Sequence, residues 1–268
     1  MAVDNKFIIK KLQRLEKIFV LFSPLTRMPY IACDEETFDD QVYLFSAEES
    51  AKKFVSDLET RKIPAAVLTF TKAQMNGFLN SLYALDVNAV IFSDETGETS
   101  VPVEDLAKRP DMEKIAKEKI PVMNPQLTLT MIYFLQELRR PVKPDPAHLR
   151  ELEDEMIVNL IKSRFILGIE TAEEGENISS DKIDFKNVRI PFFRSKEGDI
   201  YQPVYTDFSE FRKHTGPNAK KLRISSLAFQ QLPQFFIKDS KGYVINPASM
   251  NLVLTTEQIK RILRDYEG

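Results

Sequence analysis

Catalysis or ligation in this chain would have to draw on a short list of side chains. Cys33 is the lone cysteine, and it is followed by Asp34-Glu35-Glu36. A reactive thiol needs positive neighbours to favour the thiolate, and carboxylates oppose it. A buried, inert strand cysteine is therefore the expectation. The two histidines, His148 and His214, are far apart, so neither an HExxH helix nor a three-histidine metal site can be drawn. The eight glycines are isolated from one another, which excludes GxGxxG, Walker A and GxSxG loops. Two sets of polar residues remain. Asn246-Pro247 could form a recognition loop after an apolar run, with the Asn246 amide offering a donor and an acceptor. Tyr205-Thr206-Asp207 could place a hydroxyl and a carboxylate beside a ligand. Each also has a simpler reading. Asn246 can tie a strand end to nearby backbone, and Asp207 can cap a helix.

Two charged stretches add candidate surfaces. Residues 34–40 are acidic but have neither the glycine nor the spacing of a calcium loop, so a solvated hairpin loop is expected. Residues 211–223 hold the densest basic run, with Arg212, Lys213, Lys220, Lys221 and Arg223. They could touch phosphates, but a solvated loop is the simpler expectation. The whole chain carries a net charge of −3, and neither half has the positive excess that dominates nucleic-acid binding.

The elements that must hold these residues read as one grammar used twice. The chain has 268 residues, 43% of them hydrophobic and 19 of them phenylalanine, enough for two cores. Arg140-Pro141-Val142-Lys143-Pro144-Asp145-Pro146 cannot continue a helix. The predicted layout is a first unit at 1–140 with extra C-terminal helices, a linker at 141–147 and a second unit at 148–268. Asp86-Val87-Asn88-Ala89-Val90-Ile91-Phe92-Ser93 lies over Asp239-Ser240-Lys241-Gly242-Tyr243-Val244-Ile245-Asn246 without a gap. Strands are predicted at Lys17 to Phe22, Pro29 to Cys33 and Gln41 to Phe45. Their counterparts are Arg164 to Ile169, Val188 to Arg194 and Ile200 to Tyr205. Helices follow, begun by Ser46 with Glu49 and by Asp207 with Glu210 as capping boxes. A hairpin is predicted from Gln234 to Ile245, with Gly242 in its turn. Thr255 with Gln258 opens a last amphipathic helix. Gln126 to Arg139 reads as a helix that packs the halves together. The fold class is α+β: two tandem similar units, each a mixed or antiparallel sheet of about five strands with helices against it.

The ordered set Ile190-Pro191-Phe192-Phe193, Gln202-Pro203-Val204-Tyr205-Thr206-Asp207 and Gly242-Tyr243-Val244-Ile245-Asn246-Pro247 resembles the N-terminal domain of the SseB (enhanced serine sensitivity) family. The resemblance covers roughly residues 150–268, and the first unit resembles a diverged copy. It implies an α+β, mostly bacterial and cytoplasmic protein, and it brings no catalytic residues with it. The reading that follows is a non-enzymatic cytoplasmic module that binds a protein or small-molecule ligand through Asn246, Pro247, Tyr205 and Asp207. It needs no cofactor, no metal and no membrane. The alternatives are an enzyme of sulfur or amino-acid metabolism using Cys33 or carboxylates, and a weak nucleic-acid binder through residues 212–223.

Overall fold

The computed structural model describes residues 5–107, 121–171 and 188–266. It is α+β, with parallel and antiparallel strand pairs in the same sheets. Its described residues fall into two compact units. One takes 5–107 and 128–152, the other 121–127 and 153–266. Changes of unit fall inside helices, after Leu127 and after Leu152, and the proline segment 141–147 lies within the first unit.

In the first unit, α1 (Asn5–Arg14) leads into β1 (Lys17–Ser23), whose apolar run makes it the central strand. A short arm, β2 (Met28–Pro29) and β3 (Ile31–Cys33), precedes β4 (Asp40–Phe45). Then come α2 (Glu48–Thr60), β5 (Ala66–Thr71), α3 (Lys72–Ser81), β6 (Ala89–Asp94), β7 (Gly97–Pro102), α4 (Val103–Leu106) and α5 (Pro125–Leu138). β1 pairs with β5 along one edge. On its other edge it meets β4 near its start and β2 near its end. The arm bridges the gap this leaves: Tyr30 donates its N–H to Leu21 O, and β3 pairs onward with β4. β4 runs parallel to β6, and β6 turns back antiparallel into β7. Phe19, Leu21, Tyr30, Phe45 and Leu58 form a core on one side of the sheet. Helix α5 docks on the same unit. Its Gln136 amide donates to Ile31 O at 2.9 Å, and the Tyr133 hydroxyl donates to Asp40 Oδ1 at 2.5 Å.

Helix α1 is held by its buried Ile8 and Leu12 and by one cation. Lys11 Nζ lies 2.7 Å from Asp94 Oδ2 and 2.5 Å from Glu95 Oε1, and the Asp94 side chain is only 2% exposed. Burial alone would raise the Asp94 carboxyl. The Lys11 ammonium and the Thr96 hydroxyl and amide outweigh it and lower the group to about 2. A carboxylate held below its ordinary range stabilises the fold above that range, and the contribution fades as pH falls toward 2. Lys11→Met is therefore expected to lower the urea midpoint at neutral pH, with the gap to the parent protein closing between pH 5 and pH 2. A gap of equal size at every pH would show that the lysine acts through its aliphatic stem instead.

The second unit opens with the later turns of α6 (Pro146–Lys162). It continues through β8 (Arg164–Thr171), β9 (Val188–Arg189), β10 (Phe193–Arg194), β11 (Ile200–Val204), α7 (Phe208–Thr215), β12 (Arg223–Ala228), β13 (Ser240–Ile245), β14 (Leu252–Thr255) and α8 (Thr256–Tyr266). Its pairings follow the same order as those of the first unit. β12 covers one edge of β8 and β9 pairs near the end of β8. Ile166 and Tyr205 exchange two backbone bonds, which join β8 to the end of β11. β11 pairs with β10, runs parallel to β13, and β13 turns into β14. Asp86 and Asp239, which the sequence overlay places together, both adopt left-handed backbone, with φ of 56° and 65°.

Several expectations are corrected. The strand expected over Gln234 to Lys238 is absent. A 3₁₀ segment, Phe229–Phe235, takes its place, buries Phe229, Leu232 and Phe235, and contains Pro233, which has no N–H to offer a ladder. Buried side chains satisfy its backbone instead. Gln202 donates to Phe235 O at 2.8 Å and accepts from Ile237 N at 3.0 Å, and the Tyr243 hydroxyl donates to Leu232 O. The hairpin is β13–β14, and Gly242 lies within a strand rather than a turn, still with positive φ. Ser46 does not cap α2. Its N–H is tied to Ser93 O, and Ala47 is the N-cap, with no side-chain bond. Cys33 is exposed, because β3 ends there at the base of the acidic loop. The Thr255–Gln258 box and the Asp207 cap form as expected.

Candidate functional site

The start of α7 gathers the polar residues that the sequence singled out. Asp207 Oδ1 accepts from Glu210 N at 2.9 Å, and its Oδ2 accepts from the Thr206 hydroxyl. Asn246 is fully buried and left-handed, with φ of 51°. Its Oδ1 accepts from Thr206 N at 3.0 Å, and its Nδ2 donates to Thr206 Oγ1 at 2.8 Å. Its own N–H donates to Val204 O. Tyr205 is buried with its hydroxyl 2.7 Å from His214 Nδ1. Burial pushes the Tyr205 phenol up and the His214 imidazole down, so both favour their neutral forms. Pro247 follows Asn246, half-buried. Asn246 and Asp207 thus meet at Thr206, which engages both side chains, while the Tyr205 hydroxyl is engaged by His214.

Sequence reasoning missed two members of this cluster. Glu210 was expected to reach back to the N-cap amide. Instead it is 2% exposed, takes a 2.5 Å bond from the Ser249 hydroxyl and pairs with Lys213 at 2.6 Å. Asn124 donates to both Arg164 O and Thr206 O at 2.7 Å. The Ser249–Glu210 bond and the Asn124 bonds have no local signal, because their partners are 39 to 82 positions apart.

The outer side of α7 is different. Residues expected as a solvated loop form the end of this helix and a 3₁₀ segment, Gly216–Lys221. With the start of β12 they line a groove of about 500 Å³. Phe208, Phe211, Pro217 and Ile224 supply apolar wall, and Arg212 and Lys220 supply charge. Phe208 is 45% exposed, stacks on Phe211 at 5.8 Å and carries the Arg212 guanidinium 6.0 Å from its ring centre. Among the described residues, Lys213 is spent on Glu210, while Arg212 and Lys220 enter no ion pair. The signal was present as Phe208 and Phe211 at helical spacing beside small apolar residues set between cations.

The first unit offers a different surface. Residues 34–40 form a closed loop, as expected. Asp34 Oδ1 accepts from Glu36 N and Thr37 N at 2.9 and 2.8 Å, and Asp34 O accepts from Phe38 N. These amide bonds, Thr37 first, hold the Asp34 carboxyl below its usual range, so it stays ionised. Phe38 stands at the tip, 76% exposed. A second cavity in this unit, about 370 Å³, is lined by Asp39, Asp86, Asn88 and Glu104 among others. Among the described residues no group of three or more His, Cys, Asp or Glu could hold a metal ion. No described helix is long and apolar enough to cross a membrane.

No family model matches the sequence, and no curated protein matches it. Among solved structures the chain is similar to Tic22 from Plasmodium falciparum, at 13% identity over 97% of each chain with a TM-score of 0.23. It is also similar to Anabaena Tic22 (protein transport), at 11% identity over 98% of each chain with a TM-score of 0.22. Likeness at these scores carries no argument about this chain.

Proposed function

We propose that this chain is a non-enzymatic binding protein of two related SseB-like units. The groove on the second unit receives a short segment of a partner protein in which apolar side chains lie beside carboxylates. One observation carries this reading: two cations that enter no ion pair among the described residues stand over an exposed apolar wall made by Phe208 and its neighbours. Covering that wall is favourable at roughly 25 cal/mol per Å² of apolar area, and a carboxylate beside Arg212 or Lys220 fixes the register of the bound segment. An amphipathic helix laid in a groove uses the same physics. The common ancestry of the units is supported by the repeated pairing order and by the matching left-handed Asp86 and Asp239.

The chain has no tryptophan, so Phe208→Trp places a lone indole in the groove. Titration with a synthetic acidic amphipathic peptide is expected to shift and sharpen its emission. Arg212→Glu in that background is expected to weaken binding about tenfold, the equivalent of about 1.4 kcal/mol. A peptide with lysines in place of its glutamates is expected not to bind. Equal binding of acidic and basic peptides would remove the charge argument, and a silent indole with both would remove the groove.

A further inference from the structure

We infer that the groove also accepts the acidic loop of a second copy of this chain, an inference that rests on the groove being a docking site for apolar and acidic chemistry. The two surfaces are complementary in each respect that can be compared. Residues 34–40 carry five carboxylates and no base, whereas residues 211–223 carry five lysines and arginines and no acid. The loop presents one large apolar side chain at its tip, Phe38, which is 76% exposed. The groove presents an apolar slot in which Phe208 is itself 45% exposed, so each surface leaves a large ring open among the described residues. The loop needs little ordering on docking. Asp34 fixes its backbone through three amide bonds, and Phe38 already stands in the left-handed conformation at φ 60° that projects the ring. A ligand held in its bound shape loses less entropy on association.

The contact is heterologous. Each copy has one loop, on its first unit, and one groove, on its second. Docking loop to groove leaves a free loop at one end of the assembly and a free groove at the other, so association continues into a ring or an open string. Phe38 fills the slot, and Glu35 and Glu36 flank it at the level of Arg212 and Lys220. Because the contact couples opposite charges at exposed positions, salt weakens it.

The test uses the full chain in sedimentation velocity across protein concentration, at low and high salt. The weight-average mass is expected to rise above the 30.9 kDa monomer at high protein concentration and low salt, and to return toward it in high salt. Phe38→Asn removes the ring but keeps a residue that tolerates the left-handed backbone. It is expected to weaken association by about tenfold or more. Arg212→Glu with Lys220→Glu is expected to do the same. Each variant keeps the half that the other lacks, so a mixture of the two is expected to form a one-to-one dimer and nothing larger. A parent chain that stays monomeric at every concentration overturns the inference, as does association that survives both variants, or a mixture that stays monomeric. Acidic-peptide titration of Phe38→Asn in the Phe208→Trp background separates the two ideas. If peptide binds while the parent chain stays monomeric, the groove stands and self-docking falls. If the peptide also fails to bind, both fall.

Discussion

Gly242→Ala is expected to cost the second unit about 4 kcal/mol, a large share of the 5–15 kcal/mol that typically holds a domain together. The residue lies in β13 with φ of 150°, in a region that side chains rarely enter. A Cβ there would stand 2.0 Å from Leu254 O and 2.8 Å from Thr255 Cα. Both are backbone atoms of the paired strand, so no rotamer change relieves the clash. β13 and β14 would have to part where Gly242 faces Thr255, just where α8 begins. Gly97 provides the control. It also has positive φ, at 125°, but nothing lies within 4 Å of its Cβ position. Gly97→Ala is expected to lose only the conformational part, about 1–2 kcal/mol. Urea unfolding followed by far-ultraviolet circular dichroism reads both units, and the indole of a Phe208→Trp background identifies the transition of the second. Losses of similar size at Gly242 and Gly97 would mean that the close approach of the strands contributes nothing.

Gly242 also shows what the sequence could and could not disclose. That the position needs a glycine was legible from its place before an apolar run. That the reason is a neighbouring strand rather than a turn was not, because the neighbour is Leu254, which only the pairing of β13 with β14 brings near. The central strands β1 and β8 were legible because a run such as Ile18 to Phe22 has one plausible fate, burial on both faces. The caps at Asp207 and Thr255 were legible because their partners are three residues away. Gln234 to Lys238 was misread as a strand. Its apolar content fits one, yet the backbone of Phe235 and Ile237 bonds to the Gln202 side chain, which no local pattern reveals. The groove was hidden for a related reason. Residues 211–223 are basic enough to read as a solvated loop, and only the coiling of α7 and the following 3₁₀ segment turns Phe211, Pro217 and Ile224 to one side and leaves cations at the edge. Recognition by Asn246, Tyr205 and Asp207 was a sound guess about residue types. It took no account of how fully Thr206, Glu210 N and His214 engage their polar atoms.

Asn246→Ala tests that last point and is expected to cost about 3 kcal/mol of stability without changing peptide affinity in the groove. Two effects add. The Thr206 N–H loses its acceptor in a place water does not reach, which costs about 1–3 kcal/mol. An alanine must also hold φ near 51°, which costs about 1 kcal/mol more. Asn246→Gly removes the second effect and keeps the first, so it is expected to be the milder change by about that 1 kcal/mol. If the backbone conformation were the main requirement, glycine would restore nearly full stability. If the amide were the main requirement, glycine and alanine would be almost equally poor. A role in recognition makes the opposite forecast: both variants would unfold at the parent midpoint and lose the peptide. Engagement of both amide atoms with Thr206 argues for the amide, and hence for a residue that holds the end of β11 to the end of β13 beneath α7.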